Sequence, residues 1–278
     1  MENFLLLKKD YESLILEDEI SQYLNEFKLC ENDIYSFKKN STIFNLLVSE
    51  PRYTKIQFFP NLQKKLSDYK LMVCDMDSTL IQNECIDEIA DLINIKKEVS
   101  EITEMAMQGK LSFDESIKKR VMLLQGVDIS SFEFIVKEKI RMQPFVHQWL
   151  KLVKSCGIET VIVSGGFSYF VNDVKDKLGF DHAFSNKLDV RSGKLTGSLK
   201  DRIINGEMKA EIVRDFKRKL NISSDEVITI GDGANDIEMF KESDLSISMH
   251  GKPILDKLVT WNVKNNYYQT LINLFKSE

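Results

Sequence analysis

Four short apolar runs, separated by helical periodicities, constrain the fold of this 278-residue chain more than any other feature. They are Leu71–Asp75, Glu159–Ser164, Val227–Asp232 and Leu245–Ser248, and each stops at or just before polar or glycine residues. Runs of this kind are typical of strands buried on both faces. Because strands alternate with helices, the sequence predicts an α/β fold with a doubly wound parallel sheet. Ligands of such sheets bind at the carboxyl ends of the strands.

A long insertion separates the first of these strands from the second. One apolar helical stripe in it consists of Ile86, Ile89, Ala90 and Ile93. Ser112 to Glu115 is a capping box, which is typical of the start of another helix. We therefore expect residues 85–143 to form a helical cap above the carboxyl ends of the strands.

The chain before Lys70 has a different character and carries no group of chemically suggestive residues. Phe4–Leu7 and Tyr53–Phe59 have strand patterns with helical stretches between them, which predicts a small α/β module. Asn186 to Lys200, with Ser192-Gly193 at its centre, predicts a hairpin. The predicted domains are a small module at 1–68, a Rossmann-like catalytic core at 69–84 and 144–278, and the cap at 85–143.

Charge and composition restrict the classes of partner. The net charge of -5 disfavours nucleic acid and anionic membranes as partners. No apolar run approaches the roughly 18 residues of a membrane-spanning helix, and the first residues do not have the pattern of a signal peptide. The four cysteines lie far apart, which disfavours a disulfide framework or a zinc site. We expect a cytoplasmic protein.

The strongest chemical signal is Asp75-Met-Asp77-Ser-Thr79 at the end of an apolar run. If the chain turns directly after Asp75, both carboxylates can converge on one pocket. A carboxylate can accept a phosphoryl group, and a second acid can protonate the leaving group and then activate water. Mg²⁺ prefers oxygen ligands, which suits Asp75, the backbone carbonyl of Asp77 and a third carboxylate. Taken alone, the motif also fits a solvated turn.

Three further segments add weaker signals. Ser164-Gly165-Gly166 precedes a predicted helix, and backbone amides at such a position bind phosphate. Asp232 is placed to be the missing metal ligand and Asn235 to contact phosphate, while Asp236 could either act behind the metal or orient a lysine. Lys209, at the start of a predicted helix, could offset phosphoryl charge. Each segment alone also suits an ordinary turn, helix cap or surface position.

In this order the segments resemble the haloacid dehalogenase superfamily, and in detail its phosphoserine phosphatase branch. The resemblance covers residues 70–255. It is carried by Asp75–Ala90, Met107–Phe113, Lys119–Gly126, Val163–Phe167 and Gly231–Asp236. Met76 and Cys85 depart from the common Phe and Thr but keep an apolar or small side chain. In this family an N-terminal extension is often an amino-acid-binding fold related to the ACT domain, and residues 1–68 match that pattern only weakly.

The resemblance also implies roles for individual residues. It implies Asp75 as nucleophile and Asp77 as general acid and base, with Mg²⁺ held by Asp75, Asp77 and Asp232. The phosphate or substrate contacts that it implies are Ser164, Gly165, Lys209 and Asn235. In the cap it implies Glu84 for the substrate ammonium, Arg120 for the carboxylate, and Met107 and Phe113 as apolar walls. A zwitterionic substrate needs one acid and one base at separate points, which agrees with this set.

The activity implied by the resemblance is hydrolysis of O-phospho-L-serine through an aspartyl-phosphate, the last step of serine biosynthesis. A phosphotransferase, or a phosphatase for another small phosphomonoester, keeps the same fold and stays open. A regulatory protein with an inactive core is disfavoured because no expected catalytic position is missing. A metal-free haloacid dehalogenase has no use for Asp77 and Asp232 together. The sequence also leaves a homodimer open.

Overall fold

The structure is a computed structural model that describes residues 3–7, 28–29, 34–38, 58–60, 64–251, 253–264 and 267–276. Its strands are β1 Asn3–Leu7, β2 Lys28–Leu29, β3 Ile34–Lys38, β4 Phe58–Pro60, β5 Leu71–Cys74, β6 Glu159–Phe167, β7 His182–Arg191, β8 Lys194–Lys200, β9 Val227–Gly231, β10 Leu245–Met249 and β11 Trp261–Val263. Its α-helices are α1 Cys85–Leu92, α2 Lys96–Met107, α3 Phe113–Leu123, α4 Ser131–Phe134, α5 Val146–Ser155, α6 Ser168–Leu178, α7 Gly206–Leu220, α8 Ile237–Phe240 and α9 Tyr267–Lys276.

A seven-stranded sheet in the order β11-β10-β9-β5-β6-β7-β8 forms the core of the described chain. Neighbouring strands are parallel except for the β7–β8 hairpin. Every residue of β5, β9 and β10 is buried, as expected for strands covered by helices on both faces. The predicted α/β fold and the hairpin are therefore confirmed.

One predicted boundary is wrong. The sequence predicts that the second long strand ends at Ser164, whereas the helix that it predicts near Phe167 is confirmed. In the structure β6 continues to Phe167, and α6 begins at Ser168. The physical reason is an irregularity in the pairing with β7: Ser164 pairs with Ser185 and Phe167 pairs with Asn186. Two glycines are thus accommodated within the strand as a bulge, which bends it without ending it.

The inserted segment is helical, as predicted, and contains α1 to α4. Two chain segments that run beside each other connect it to the core. Ile81 forms an antiparallel bridge with Met142, and the backbone N–H of Gln82 donates to the carbonyl of Arg141 at 2.8 Å. The N–H of Gln143 donates to the carbonyl of Leu80 at 2.9 Å. A short two-stranded connection therefore joins the cap to the core, and residues 126–129 of the cap also hydrogen-bond to the β7–β8 hairpin.

The N-terminal strands form a second sheet in the order β2-β3-β1-β4, with antiparallel pairing. The strands predicted at each end of this module are present, although 53–57 lie outside the described residues. The helical stretches predicted between them also lie outside the described residues. Phe59 is fully buried, and its ring lies edge-on against Trp261 at 5.9 Å, so β4 packs onto the core sheet.

The C-terminal helix α9 also contacts the core. The hydroxyl of the buried Tyr268 donates to the carbonyl of Thr79 at 3.0 Å, in the turn that follows β5. No helix in the described part of the chain is both long enough and apolar enough to cross a lipid bilayer.

Candidate active site

Asp75 lies at the carboxyl end of the central strand β5, where its side chain is almost completely buried. Its Oδ1 accepts hydrogen bonds from the backbone N–H of Met76 at 2.8 Å and from Nζ of Lys209 at 2.9 Å. Burial raises the pKa of Asp75 to about 7, with the nearby Lys209 ammonium opposing the rise. Asp75 therefore lies in a protected position beside a fixed positive charge.

Lys209, from α7, is fully buried between two carboxylates. Its Nζ lies 2.9 Å from Asp75 Oδ1 and 2.7 Å from Asp236 Oδ1. Burial alone would lower the pKa of Lys209, but Asp236 and Asp75 raise it above its ordinary value. Because a buried ammonium is stable only when it is paired, this geometry holds Lys209 as a cation.

Asp236 is fixed on its other oxygen by the loop after β9. Its Oδ2 accepts the backbone N–H groups of Asp232 and Gly233, both at 3.1 Å. A Cβ atom on Gly231 would lie only 2.4 Å from the same oxygen, so glycine is needed there for the carboxylate to approach the backbone. The sequence leaves two roles open for Asp236, and the contacts in the structure support the one in which Asp236 orients Lys209.

Carboxylate oxygens of Asp75, Asp232 and Asp236 lie within 4.8 Å of one another. The Asp77 side chain is not among these three carboxylates. Its Oδ1 accepts the backbone N–H of Cys85 at 3.2 Å. Both Asp236 oxygens are engaged by the lysine and by backbone amides. Oxygen atoms alone suit Mg²⁺. Asp75 and Asp232 therefore fit the predicted metal role, and the backbone carbonyl of Asp77 is the ligand that the sequence analysis expects beside them.

Asp77 lies at the start of the loop that leads into the cap. Burial raises its pKa well above the ordinary value, and the charge of Glu84 adds to the rise. A raised pKa favours the protonated form, which a general acid requires. The bulge of β6 approaches this group closely, since a Cβ atom on Gly166 would lie 2.6 Å from Asp77 Oδ2.

The predicted phosphate contacts lie at the same edge of the sheet. Ser164 is fully buried, and its Oγ accepts the backbone N–H of Gly166 at 2.9 Å. Asn235 is half-buried in the loop after β9, beside Gly233. Strands β5, β6 and β9 are neighbours in the sheet, so their carboxyl-end loops bring these groups to one edge.

Two contacts of the cap with the core lie beside the predicted phosphate turn and the start of α7. A Cβ atom on Gly165 would lie 2.9 Å from Cζ of Phe113, so the predicted apolar wall touches the predicted phosphate turn. Asn205 Nδ2 donates to Asp114 Oδ1 at 2.9 Å. This hydrogen bond could not be recognised from the sequence, because it joins residues far apart in the chain.

The other predicted cap residues differ in their surroundings. Glu84 is exposed and accepts the Ser78 hydroxyl at 2.7 Å. Arg120 is half-buried, and its Nε has no hydrogen-bond partner among the described residues. Burial lowers the pKa of Arg120, while Glu84 and Asp87 oppose that shift. Met107 is 67% exposed, so most of its side chain faces solvent.

The sequence profile of the haloacid dehalogenase-like hydrolases matches residues 72–241, and the chain belongs to this family. A phosphoserine phosphatase from Polaromonas sp. is 39% identical over 217 residues, which are 76% of this chain and 92% of that protein. Among solved structures, a phospho-aspartyl intermediate analogue of phosphoserine phosphatase is 39% identical, with a TM-score of 0.69 over 75% of this chain and 98% of that one. An unliganded probable phosphoserine phosphatase from Vibrio cholerae is 26% identical, with a TM-score of 0.79 over 99% and 86%.

Proposed function

We propose that this chain is a phosphoserine phosphatase, which hydrolyses O-phospho-L-serine to L-serine and phosphate through a phosphoryl group on Asp75. This reaction is the last step of serine biosynthesis. The observation that carries the proposal is the buried arrangement of Asp75, Lys209 and Asp236 at the carboxyl end of the central strand. The 39% identity to a phosphoserine phosphatase over most of the chain supports the same substrate.

The donor set fits a divalent metal ion. Asp75 and Asp232 contribute carboxylate oxygens that lie close together, and Asp77 would contribute its backbone carbonyl. When bound, Mg²⁺ would supply positive charge against the phosphoryl oxygens. The three carboxylates of the cluster face one buried ammonium, so the site has excess negative charge for such an ion to balance.

The protein side chains divide the chemistry between them. A carboxylate oxygen of Asp75 attacks phosphorus, so that an O–P bond forms as the bond to the serine oxygen breaks. Asp77 gives its proton to that leaving oxygen and later removes a proton from the water that attacks the aspartyl-phosphate. Lys209 holds Asp75 in place and offsets the charge of the phosphoryl group. Ser164, Gly165 and Asn235 bind its remaining oxygens.

Substrate selection is assigned to the cap. Glu84 would face the ammonium group of phosphoserine, and the guanidinium of Arg120 would bind its carboxylate. Phe113 and Met107 would form apolar walls, and closure of the cap would exclude bulk water during the first transfer. Phe113 already lies against Gly165 in the structure.

The central test is phosphate release from L-phosphoserine, with and without Mg²⁺, beside a panel of small phosphomonoesters and alcohol acceptors. Asp75→Asn should reduce turnover by at least about 1,000-fold because the nucleophile is lost. Asp176→Asn, at a largely exposed site, is the matched control and should keep wild-type activity. Near-normal turnover in Asp75→Asn would refute the nucleophile assignment. Preferred transfer to an alcohol would favour a phosphotransferase.

Arg120→Ala tests how the substrate is recognised. Loss of a charge-assisted hydrogen bond should raise the KM for phosphoserine roughly 10- to 100-fold. The KM for phosphoethanolamine, which lacks the carboxylate, should change little. Lys118→Ala, on the exposed face of the same helix, is the control. Equal losses on both substrates would remove Arg120 from the recognition of the carboxylate.

We also propose a cytoplasmic location, a homodimer and an ACT-related N-terminal module, with the domain boundaries given by the sequence analysis. The similarity to phosphoserine phosphatases supports a small-molecule substrate. The location, the homodimer and the fold of the N-terminal module are separate predictions. Light scattering of the purified chain tests the homodimer. Calorimetric titration with L-serine tests an amino-acid site in the N-terminal module by whether a second site appears beside the one that the product would occupy in the catalytic core.

A further inference from the structure

Asn186, in β7, joins two elements of the active site through its side-chain amide. It is almost completely buried, with 2% of its surface exposed. Its Nδ2 donates to the carbonyl of Gly165 at 2.8 Å, in the turn assigned to phosphate. Its Oδ1 accepts the backbone N–H of Ile204 at 2.9 Å. The donor and acceptor ends of one amide are therefore both used, and each has a backbone partner.

The hydrogen bond to Gly165 compensates for an irregularity in the pairing of β6 with β7. The pairing of β6 with β7 skips from Ser164–Ser185 to Phe167–Asn186, so Gly165 and Gly166 have no opposite residues. A carbonyl that is shielded from water and has no partner is costly, and bulges commonly leave one; the carbonyl of Gly165 is partly buried. The side chain of Asn186 supplies that partner for Gly165. It thereby fixes the peptide plane between Gly165 and Gly166, whose N–H donates to Ser164 Oγ, and limits how far the bulge can move.

The second contact fixes the approach to the lysine helix. Ile204 immediately precedes Asn205, whose Oδ1 caps α7 by accepting the N–H of Met208 at 3.0 Å. The N–H of Lys209 donates to the carbonyl of Asn205 at 2.9 Å, in the first turn of that helix. A shift at Ile204 would therefore be transmitted to the backbone that carries the Lys209 side chain.

We propose that Asn186 is a positioning residue for phosphoryl binding, which sets the phosphate turn and the lysine helix at a fixed separation. The inference rests on the proposed function, because it assigns the Ser164–Gly165 turn and Lys209 to the phosphoryl group. Asn186 does not touch the substrate. It holds the Ser164–Gly165 turn and Lys209 at the separation that lets both contact the same phosphate.

The test is Asn186→Asp, assayed at pH 8 in the presence of Mg²⁺. The aspartate keeps an acceptor for Ile204 but loses the donor for Gly165. Misplacement of binding groups can cost on the order of 100-fold in rate, so we expect kcat/KM for phosphoserine to fall about 10- to 100-fold. The inhibition constant for inorganic phosphate should rise by a similar factor. That constant does not depend on the folded fraction, so a partly folded variant still reports on the site.

Thr160→Val is the matched control. Thr160 is also fully buried in β6, but its hydroxyl bonds to Asp181 at the opposite end of the strand, at 2.8 Å. This variant should lower the melting temperature while leaving the phosphate inhibition constant unchanged. If Asn186→Asp behaves in the same way, with loss of stability and unchanged phosphate inhibition, Asn186 has a structural role only and the inference is overturned.

A second readout separates this inference from the proposed function. Inorganic phosphate should raise the melting temperature of the wild-type protein in Mg²⁺, and this shift requires no turnover. The shift should shrink in Asn186→Asp and persist in Thr160→Val. If phosphoserine is not hydrolysed but the shifts follow this pattern, the substrate assignment fails and the role of Asn186 stands. Equal shifts in both variants would contradict that role.

Discussion

At the scale of single residues, Lys209 lies between Asp75 and Asp236 in a region closed to solvent. Burial of one ammonium with two carboxylates is favourable only while all three stay together, because an unpaired buried charge is costly. In the proposed mechanism, the same arrangement orients Asp75 toward the phosphoryl group. The stability of the fold and the proposed catalysis therefore depend on the same contacts of Lys209 with Asp75 and Asp236.

Lys209→Met tests both roles. Methionine has a similar length but no charge, so Asp75 and Asp236 would face each other without compensation. We expect the free energy of unfolding at pH 7 to fall by about 3–5 kcal/mol and phosphate release to fall sharply. Lys241→Met, at an exposed position, should change neither. Urea denaturation and initial-rate assays measure both quantities. A Lys209→Met protein of wild-type stability would show that the buried pair does not stabilise the fold.

The sequence identifies some of these residues and misses others for a physical reason. Asp75 and Asp232 follow apolar runs, and parallel strands bring their carboxyl ends to one edge, so a local pattern predicts a shared site. Asn186 has no such local signal. Its role depends on the bulge in a neighbouring strand, and hydrogen bonds between distant residues leave no periodicity in the sequence.

At the scale of elements, local signals predict helix starts well and strand ends less well. The predicted capping box is confirmed: Ser112 Oγ accepts the N–H of Glu115 at 3.2 Å, and Glu115 accepts the N–H of Ser112 at 2.8 Å. Both partners lie within one turn. The end of β6 depends instead on pairing with β7, so two glycines that resemble a turn are held within a strand.

The contact of the cap with the core gives a prediction at this scale. Asp114, in the first turn of α3, accepts Asn205 Nδ2 from the core at 2.9 Å. Asp114→Ala removes this hydrogen bond from the closed cap but leaves Asn205 free to cap α7. A hydrogen bond of about 0.5–1.5 kcal/mol corresponds to roughly a 2- to 12-fold rise in the KM for phosphoserine. The value of kcat should stay the same or rise if opening of the cap limits product release.

Lys118→Ala is the control for this experiment, because it alters the exposed face of α3 without touching the core. Steady-state kinetics of the two variants give the comparison. A fall in kcat at constant KM for Asp114→Ala would mean that the contact acts on the chemical step rather than on closure.

At the scale of the whole molecule, contacts between distant parts of the chain join the N-terminal sheet and the C-terminal helix to the core. Tyr268 of the C-terminal helix donates to Thr79, and Phe59 of the N-terminal sheet packs on Trp261. The sequence predicts β1 and β4 of the N-terminal module but not β2 and β3. Their place is set by pairing such as Leu5 with Ser36, which no local pattern specifies.

The buried acids also link stability of the whole chain to pH. Asp75 has an ordinary pKa of 3.8, which burial raises to about 7 in the folded protein. Between about pH 4 and 7 the folded form keeps a proton that the unfolded form has lost. The contribution of Asp75 to the free energy of unfolding therefore falls as pH rises through this window and is constant above it. Acidic groups whose pKa is lowered in the folded protein, such as Asp181 and Glu242, have the opposite effect: their contribution to the free energy of unfolding rises with pH.

Mg²⁺ provides a way to isolate the contribution of the site, because binding requires the ionised carboxylate. The rise in melting temperature on adding Mg²⁺ should be larger at pH 8 than at pH 6, since protons compete with the metal at the lower pH. The difference between the melting temperatures with and without Mg²⁺ removes the pH dependence that comes from titratable groups far from the site. A ligand at 100 times its Kd stabilises by about 2.7 kcal/mol, which is easily measured by calorimetry. Asp75→Asn should abolish the difference between the two pH values, whereas equal Mg²⁺ effects at pH 6 and pH 8 in the wild-type protein would exclude Asp75 as the group that links metal binding to protons.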